Sequence, residues 1–236
     1  MGIGEWRLEI GDSIQRQSPL DPLKRYNLEA EGAIMIQRPA ATKRSEKEIM
    51  METHLSMETL RAGLPYVRQA PGDHGRLAMI VSRPAADERV VLDTAVLNHT
   101  NGLEGDTWRA RESNYAPDAV PNPDRQITLV SIRALRIISP DETRWPLAGD
   151  QLYVDLDLSP ENLPPGQQVK VGTAVLQITA QEHRGCQKYS RRFGKDALKF
   201  VNQDGWPFRL RGIYACVVQD GTITVGDVIE KIAVNE

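Results

Sequence analysis

PPGQQVKVGTAVLQI, residues 164–178, holds two short apolar-rich runs on either side of Gly172-Thr173. Each run is of strand length, and a glycine between two strands accepts a positive φ at no steric cost, so the pair reads as a hairpin. The stretch is echoed by QDGTITVGDVIEKI, residues 219–232. There too a glycine leads into a short strand ending Val-Gly, then a polar residue and a second apolar strand. Two such units are too few for a repeat array. They predict two similar hairpins at the corners of a barrel.

Working outward, more strands follow. LAMIVS (77–82) and RVVLDTAV (89–96) flank a Pro-Ala-Ala-Asp turn, and QITLVS (126–131) is strand-like. LYVDLDL (152–158) alternates in strict period two, which predicts a half-buried strand. RLRGIYACVV (209–218) alternates as well. Many short strands, glycine turns and few helices predict a mainly β chain built as a barrel.

The region before residue 77 differs. Residues 1–44 read as an irregular arm or one short strand. Ser45 with Glu48 fits a capping box, and Ser56 offers a second helix start. Helix is expected over roughly 46–70, interrupted at Gly63 and Pro65 and stopped by PGDHG (71–75). The expected division is an extension over 1–76, an irregular arm plus helix, and a barrel domain over 77–236. The segment 111–125, with three prolines and no periodicity, reads as a long loop.

Bulk properties narrow the class. The net charge of −3 over 236 residues and a pI near 5.9 disfavour nucleic acid, so any anion site must be local. No apolar run is long enough to span a membrane, and acids stand where a secretory leader needs an apolar block, so a cytoplasmic protein is expected. Two cysteines, 186 and 216, give no disulfide framework.

Three segments could carry chemistry. HRGCQKYSRRFGKDALKFVN (183–202) surrounds Cys186 with Arg184, Lys188, Arg191, Arg192, Lys195 and Lys199 against one acid, Asp196. Cys186 follows a strand end. Phe193, Ala197, Phe200 and Val201 beyond it have the spacing of a short amphipathic helix. A thiol near a helix start and several cations ionises readily, and a thiolate can attack, carry a second sulfur or bind a soft metal. The competing reading is a small buried cysteine beside a solvated basic face. Cys216, inside an alternating strand, is expected in the core.

LNHTNGLEGDTW (97–108) places Gly102 and Gly105 among the polar tips Asn98, His99, Asn101, Asp106 and Trp108, without the ending of a phosphate loop. Arg209 and Arg211, two apart on an expected strand, would share a face and could clamp an anion. Zinc-ligand spacing, a nucleophile elbow and a dinucleotide fingerprint are all missing.

Taken in order, these segments resemble the MOSC domain, the module named for the C-terminal part of molybdenum cofactor sulfurases. GLEGDTW (102–108) is similar to its early motif and RQITLVS (125–131) to its middle strand. ENLPPGQQVKVGTAVLQITAQEHRGCQKYSRRFG (161–194) is similar to its signature block. The resemblance covers about 77–232 and is nearest to stand-alone bacterial MOSC proteins. It implies a β-barrel of the pyruvate kinase type with small helices and Cys186 as the functional thiol, either ligating molybdenum or carrying a persulfide. The cofactor-binding set expected with it is Asn98, His99, Gly102, Gly105, Asp106, His183, Arg184, Lys188, Arg191 and Arg211. Among these, the cations follow from charge and proximity.

Three functions follow from the resemblance. The first is a protein that binds molybdenum cofactor (molybdopterin) through the Cys186 thiolate and acts as a reductase with an external electron donor. The second is a sulfur carrier fed by a donor such as a cysteine desulfurase, a pyridoxal-phosphate enzyme. The third is a non-catalytic interaction barrel. No pyridoxal-phosphate lyase segment precedes the module, and no iron–sulfur or flavin motif accompanies it.

Overall fold

The computed structural model describes residues 54–113 and 121–233, with the side chains of 111–113 outside that description. The expected arm over 1–44 and the Ser45 capping box lie outside the described residues. The elements below all belong to one compact unit.

Two short helices come first, α1 (Met57–Ala62) and α2 (Leu64–Val67). Ser56 caps α1, its side chain accepting from the Thr59 N–H. Gly63 ends α1, and Pro65 sits in the first turn of α2, where its missing N–H costs nothing. The strands are β1 (Gly75–Ser82), β2 (Val90–Leu92), β3 (Thr94–Asn98), β4 (Gly102–Leu103), β5 (Ile127–Ser131), β6 (Leu152–Asp155), β7 (Gln168–Val171), β8 (Ala174–Ile178), β9 (Ile213–Gln219), β10 (Gly221–Thr224) and β11 (Val228–Ile232). The remaining α-helices are α3 (Trp108–Ser113), α4 (Ile132–Ile138), α5 (Gln187–Phe193) and α6 (Lys195–Asn202).

The main sheet runs β11-β7-β8-β9-β5-β6-β1-β2, and β1 also pairs with β11. Seven strands therefore close on themselves, leaving β2 as a flap on β1. All pairings are antiparallel except β5 with β6. A smaller sheet, β10-β3-β4, lies beside the barrel.

Alternation along each strand sorts side chains into two apolar layers. Inside the barrel are Leu77, Ile127, Leu129, Leu152, Val154, Leu176 and Ala215. Val81, Val130 and Tyr153 face outward and pack under the helices with Leu135, Phe193, Phe200 and Leu210. The expected half-buried strand at 152–158 is therefore a buried one. Its alternation is real, but β6 is covered on both faces, and Tyr153 is fully buried with its hydroxyl donating to the Trp145 carbonyl.

The hairpin at Gly172-Thr173 is as expected, with Val171 paired to Ala174. Its echo is not a hairpin. β10 pairs with β3 and β11 pairs with β7 and β1, so the turn at Gly226-Asp227 hands the chain from one sheet to the other. Residues 209–212 are turn rather than strand, with Arg209 left-handed at φ 48 and Gly212 at φ 101. Helix α4 was not expected, and the predicted helix after Cys186 is two, broken at Gly194 with φ 97. Cys216 is not core. It faces outward from β9, half-buried, while Ala215 and Val217 beside it point in.

Barrel closure depends on Gly75. A Cβ there would stand 2.5 Å from the Asp155 carbonyl oxygen and 2.8 Å from Leu156 Cδ1. Gly75→Ala should force β1 and β6 apart and lose about 1–3 kcal/mol, the usual range for overpacking. Urea denaturation measures this, and an unchanged midpoint would show that closure does not need the glycine.

Candidate functional site

Cys186 is the N-cap of α5, with extended backbone at φ −120° and ψ −179°. Its thiol is exposed. The residue before it is fixed from both sides, since the Gly185 N–H donates to Asn202 Oδ1 at 2.8 Å and Asn202 Nδ2 donates back to the Gly185 carbonyl at 3.1 Å. Gly185 packs closely on the helix, since a Cβ would stand 2.7 Å from Leu198 Cδ1 and 3.3 Å from Val201 Cγ2. The cysteine turn is thus pinned to α6.

Partial burial disfavours the Cys186 thiolate. The backbone N–H groups of Tyr189 and Lys188 and the charges of Arg211 and Arg192 outweigh it, and the thiol pKa falls below its ordinary 9.0. Neither N–H meets full hydrogen-bond geometry, so they act as nearby dipoles rather than as a cap. Cys216 goes the other way, because burial and Asp124 push its pKa up.

Arg211 is the buried cation of the group. Its Nη1 donates to both Asp150 oxygens, at 2.7 and 3.0 Å, and Nη2 to the Ala148 carbonyl at 3.1 Å. The guanidinium lies 5.1 Å from the centre of the Tyr189 ring. Asp150 is fully buried; burial pushes its carboxyl up and Arg211 draws it back. The Nε of Arg211 is buried without a partner.

Asp106 of the GLEGD loop is also buried, and its partner is Arg83. Three hydrogen bonds join them, from the Arg83 Nε at 2.7 Å, Nη2 at 3.0 Å and backbone N–H at 3.1 Å. Arg83 reaches on through Nη1 to the Gly149 carbonyl at 2.8 Å. The short segment Ala148–Gln151, just before β6, therefore joins the GLEGD loop to Arg211. Gln151 binds the QITLVS strand, because the N–H and hydroxyl of Thr128 both donate to its Oε1. Arg89 Nη2 and Arg192 Nη1 both come up against Gly149. Arg192 donates to the Leu147 carbonyl and to Asp87 at 2.7 Å. Arg89 is pulled below its ordinary pKa by burial and by Arg192 and Arg83, and its Nε is buried without a partner.

The expected residues divide. Gly102 and Gly105 have φ of 74° and 79°, the turn geometry that lets Asp106 reach Arg83. His183 is buried near Asp150, with 3.7 Å between Nδ1 and Oδ1. The Lys188 ammonium lies 3.8 Å from Asp87. Arg184 pairs with Glu182 and stacks on Trp206 at 4.0 Å. Arg191 lines a different, open pocket with His54, Lys195 and Asp196. Asn98 organises its own loop by accepting from the N–H groups of Thr100 and Asn101, and His99 binds Asp220. Arg209 is not on a face with Arg211, because the intervening turn sends it to the Leu163 carbonyl.

Asp150, Arg83, Arg89 and Arg192 were not anticipated as site residues. Arg83 and Arg89 bracket the Pro-Ala-Ala-Asp turn, so two arginines at the ends of one strand connection were the available signal. Asp150 gave none, being one acid in a loop, 61 residues from its partner.

The pKa directions predict distinct chemistry for the two thiols. Alkylation of Cys186 should have its pH midpoint below 9.0 and that of Cys216 above it, with Cys186 faster at neutral pH. Peptide-resolved labelling rates check this, and equal midpoints would refute the assigned environment. Arg211→Gln should raise the Cys186 midpoint and destabilise the fold by about 3–5 kcal/mol through the stranded Asp150. Arg192→Gln should raise the midpoint with little loss of stability.

Residues 122–230 match the MOSC domain family. No curated protein gives a significant match to the sequence. Among solved structures, the YUAD protein from Bacillus subtilis is 18% identical with a TM-score of 0.52, covering 68% of this chain and 97% of its own. YiiM from Escherichia coli is 20% identical with a TM-score of 0.45, covering 68% of this chain and 71% of its own. The first of these likenesses shows a shared fold.

Proposed function

We propose that this chain, whose residues 122–230 match the MOSC domain family, binds molybdenum cofactor with the Cys186 thiolate as metal ligand. The observation that supports it most is the state of Cys186, an exposed thiol drawn toward the thiolate by Arg211, Arg192 and two backbone N–H groups. A thiolate is a soft ligand suited to such a metal.

The surroundings fit the rest of the cofactor. Among the described residues no three His, Cys, Asp or Glu side chains gather as a metal nest. The ligand proposed from the protein is the Cys186 thiolate, and the remaining ligands would arrive with the pterin. Arg89 and Arg211 each have a buried Nε without a partner. With Arg192 they make a cationic wall suited to an anionic group such as the cofactor phosphate. When bound, the cofactor supplies oxidation–reduction chemistry at the metal. Cys186 would hold the metal, and Arg89, Arg192 and Arg211 would orient the anion.

The exposed, ionised thiol also supports a sulfur-carrier reading. There the Cys186 thiolate attacks the outer sulfur of a donor persulfide. A new S–S bond forms at Cys186, the donor's S–S bond breaks, and the donor leaves as its thiolate.

Metal analysis of protein made in a cofactor-competent host separates the two. Stoichiometric molybdenum that is lost in Cys186→Ser, with the variant still folded, is the expected result. Molybdenum retained by Cys186→Ser would overturn the ligand assignment. A molybdenum-free protein with a persulfide mapped to Cys186 by mass spectrometry would favour the sulfur carrier instead.

A further inference from the structure

A separate cavity of about 260 Å³ opens beside the cysteine turn, where the chain leaving β8 meets the turn before β9. Its walls include Thr179, Glu182, His183, Trp206, Pro207 and Arg209. The cation site around Gly149 uses none of these residues except His183. We infer that this cavity is a small-molecule site of its own, in which His183 acts as a neutral hydrogen-bond acceptor with its Nδ1 edge facing Asp150.

The His183 ring is fixed in place. Its side chain is 7% exposed and stacks against Tyr214 with centroids 4.4 Å apart. The ring packs on the turn at Gly212, where a Cβ would stand 2.3 Å from the Leu129 carbonyl oxygen and 3.4 Å from His183 Nδ1. Nδ1 is buried without a hydrogen-bond partner, and the nearest acceptor is Asp150 Oδ1 at 3.7 Å. A buried ring nitrogen facing a carboxylate is best served by carrying the proton. That tautomer leaves the lone pair on Nε2, and the ring is part of the cavity wall.

The charges around the ring keep it an acceptor. Burial, Arg211 and Arg83 all lower its pKa, to well below 6.5. The carboxylate of Asp150, 3.7 Å from Nδ1, is already committed to Arg211. Tyr214, beside the ring, stays a neutral phenol because burial raises its pKa. On the cavity side, Glu182 is paired with Arg184, and Arg209 donates to the Leu163 carbonyl.

The walls define the occupant. Trp206 is held as a flat surface by the Arg184 guanidinium stacked 4.0 Å from its ring centre. Pro207 extends that surface, and Thr179 and Gln181 add hydrogen-bonding groups. The geometry suits a small planar molecule that carries an N–H or O–H donor toward His183.

Nitrogen NMR of the imidazole rings tests this on the full chain without any molybdenum, so it stands or falls apart from the cofactor reading. The chain has four histidines, and the His183 signals are those lost in His183→Gln. The expected result is a protonated Nδ1 and a bare Nε2, unchanged as the pH is taken through the ordinary histidine value of 6.5. Phenol, used as a planar hydroxyl donor, should shift the Nε2 signal in the parent protein and fail to do so in Trp206→Ala. A protonated Nε2, or a ring that titrates near 6.5, would overturn the acceptor role. An Nε2 signal indifferent to phenol, or one that still responds in Trp206→Ala, would overturn the cavity as its site.

Discussion

The ion pair of Arg211 with Asp150 is the contact on which the site is hung. Both groups are taken out of water, and a buried charge is tolerated only when it is matched and hydrogen-bonded. That requirement fixes three things together. The Ala148–Gln151 segment must lie where its carbonyl and carboxylate can receive the guanidinium. The turn before β9 must aim Arg211 inward. Helix α5 must bring the Tyr189 ring over the same cation, and the cysteine at its start comes with it. The sulfur therefore feels a positive charge that solvent cannot screen as it screens a surface lysine.

A second buried pair, Arg83 with Asp106, ends on the same segment through the Gly149 carbonyl. The aspartate of the GLEGD loop is thus an internal strut. Its work is to hold Arg83, and through Arg83 the main chain beside Arg89 and Arg192. A motif that looks like a ligand loop in the sequence can act on a ligand at one remove, by placing the cations that meet it.

The barrel was readable because strand alternation and glycine turns are local signals. Gly172-Thr173 and the runs beside it needed no knowledge of the rest of the chain. Pairing was less readable, because a strand pattern does not name its partner. QDGTITVGDVIEKI looks like the true hairpin, yet its two strands join different sheets. Cys186 at a helix start was equally local, and so were the cations of its own helix. Which of those cations turns inward was not local. Arg191 and Arg192 are adjacent, but only Arg192 faces Leu147 and Asp87, because a helix points neighbours about 100° apart. Asp150 was invisible for the same reason, since its meaning comes from an arginine on a distant turn.

The number of strands in the closed ring also bears on the site. Around a closed ring, strand directions can alternate without exception only if the count is even. With seven, at least one neighbouring pair must run the same way, and here it is β5 and β6. Parallel neighbours cannot be joined by a tight turn, so the chain has to leave the sheet, cross over and re-enter from the starting end. That detour runs through α4 and returns by way of Leu147, Ala148, Gly149 and Asp150. The stretch that receives Arg83, Arg192 and Arg211 is thus the return leg of a crossing that ring parity makes unavoidable. An even-stranded relative of this barrel could dispense with the crossing, and would then need another source for the carboxylate under its cysteine.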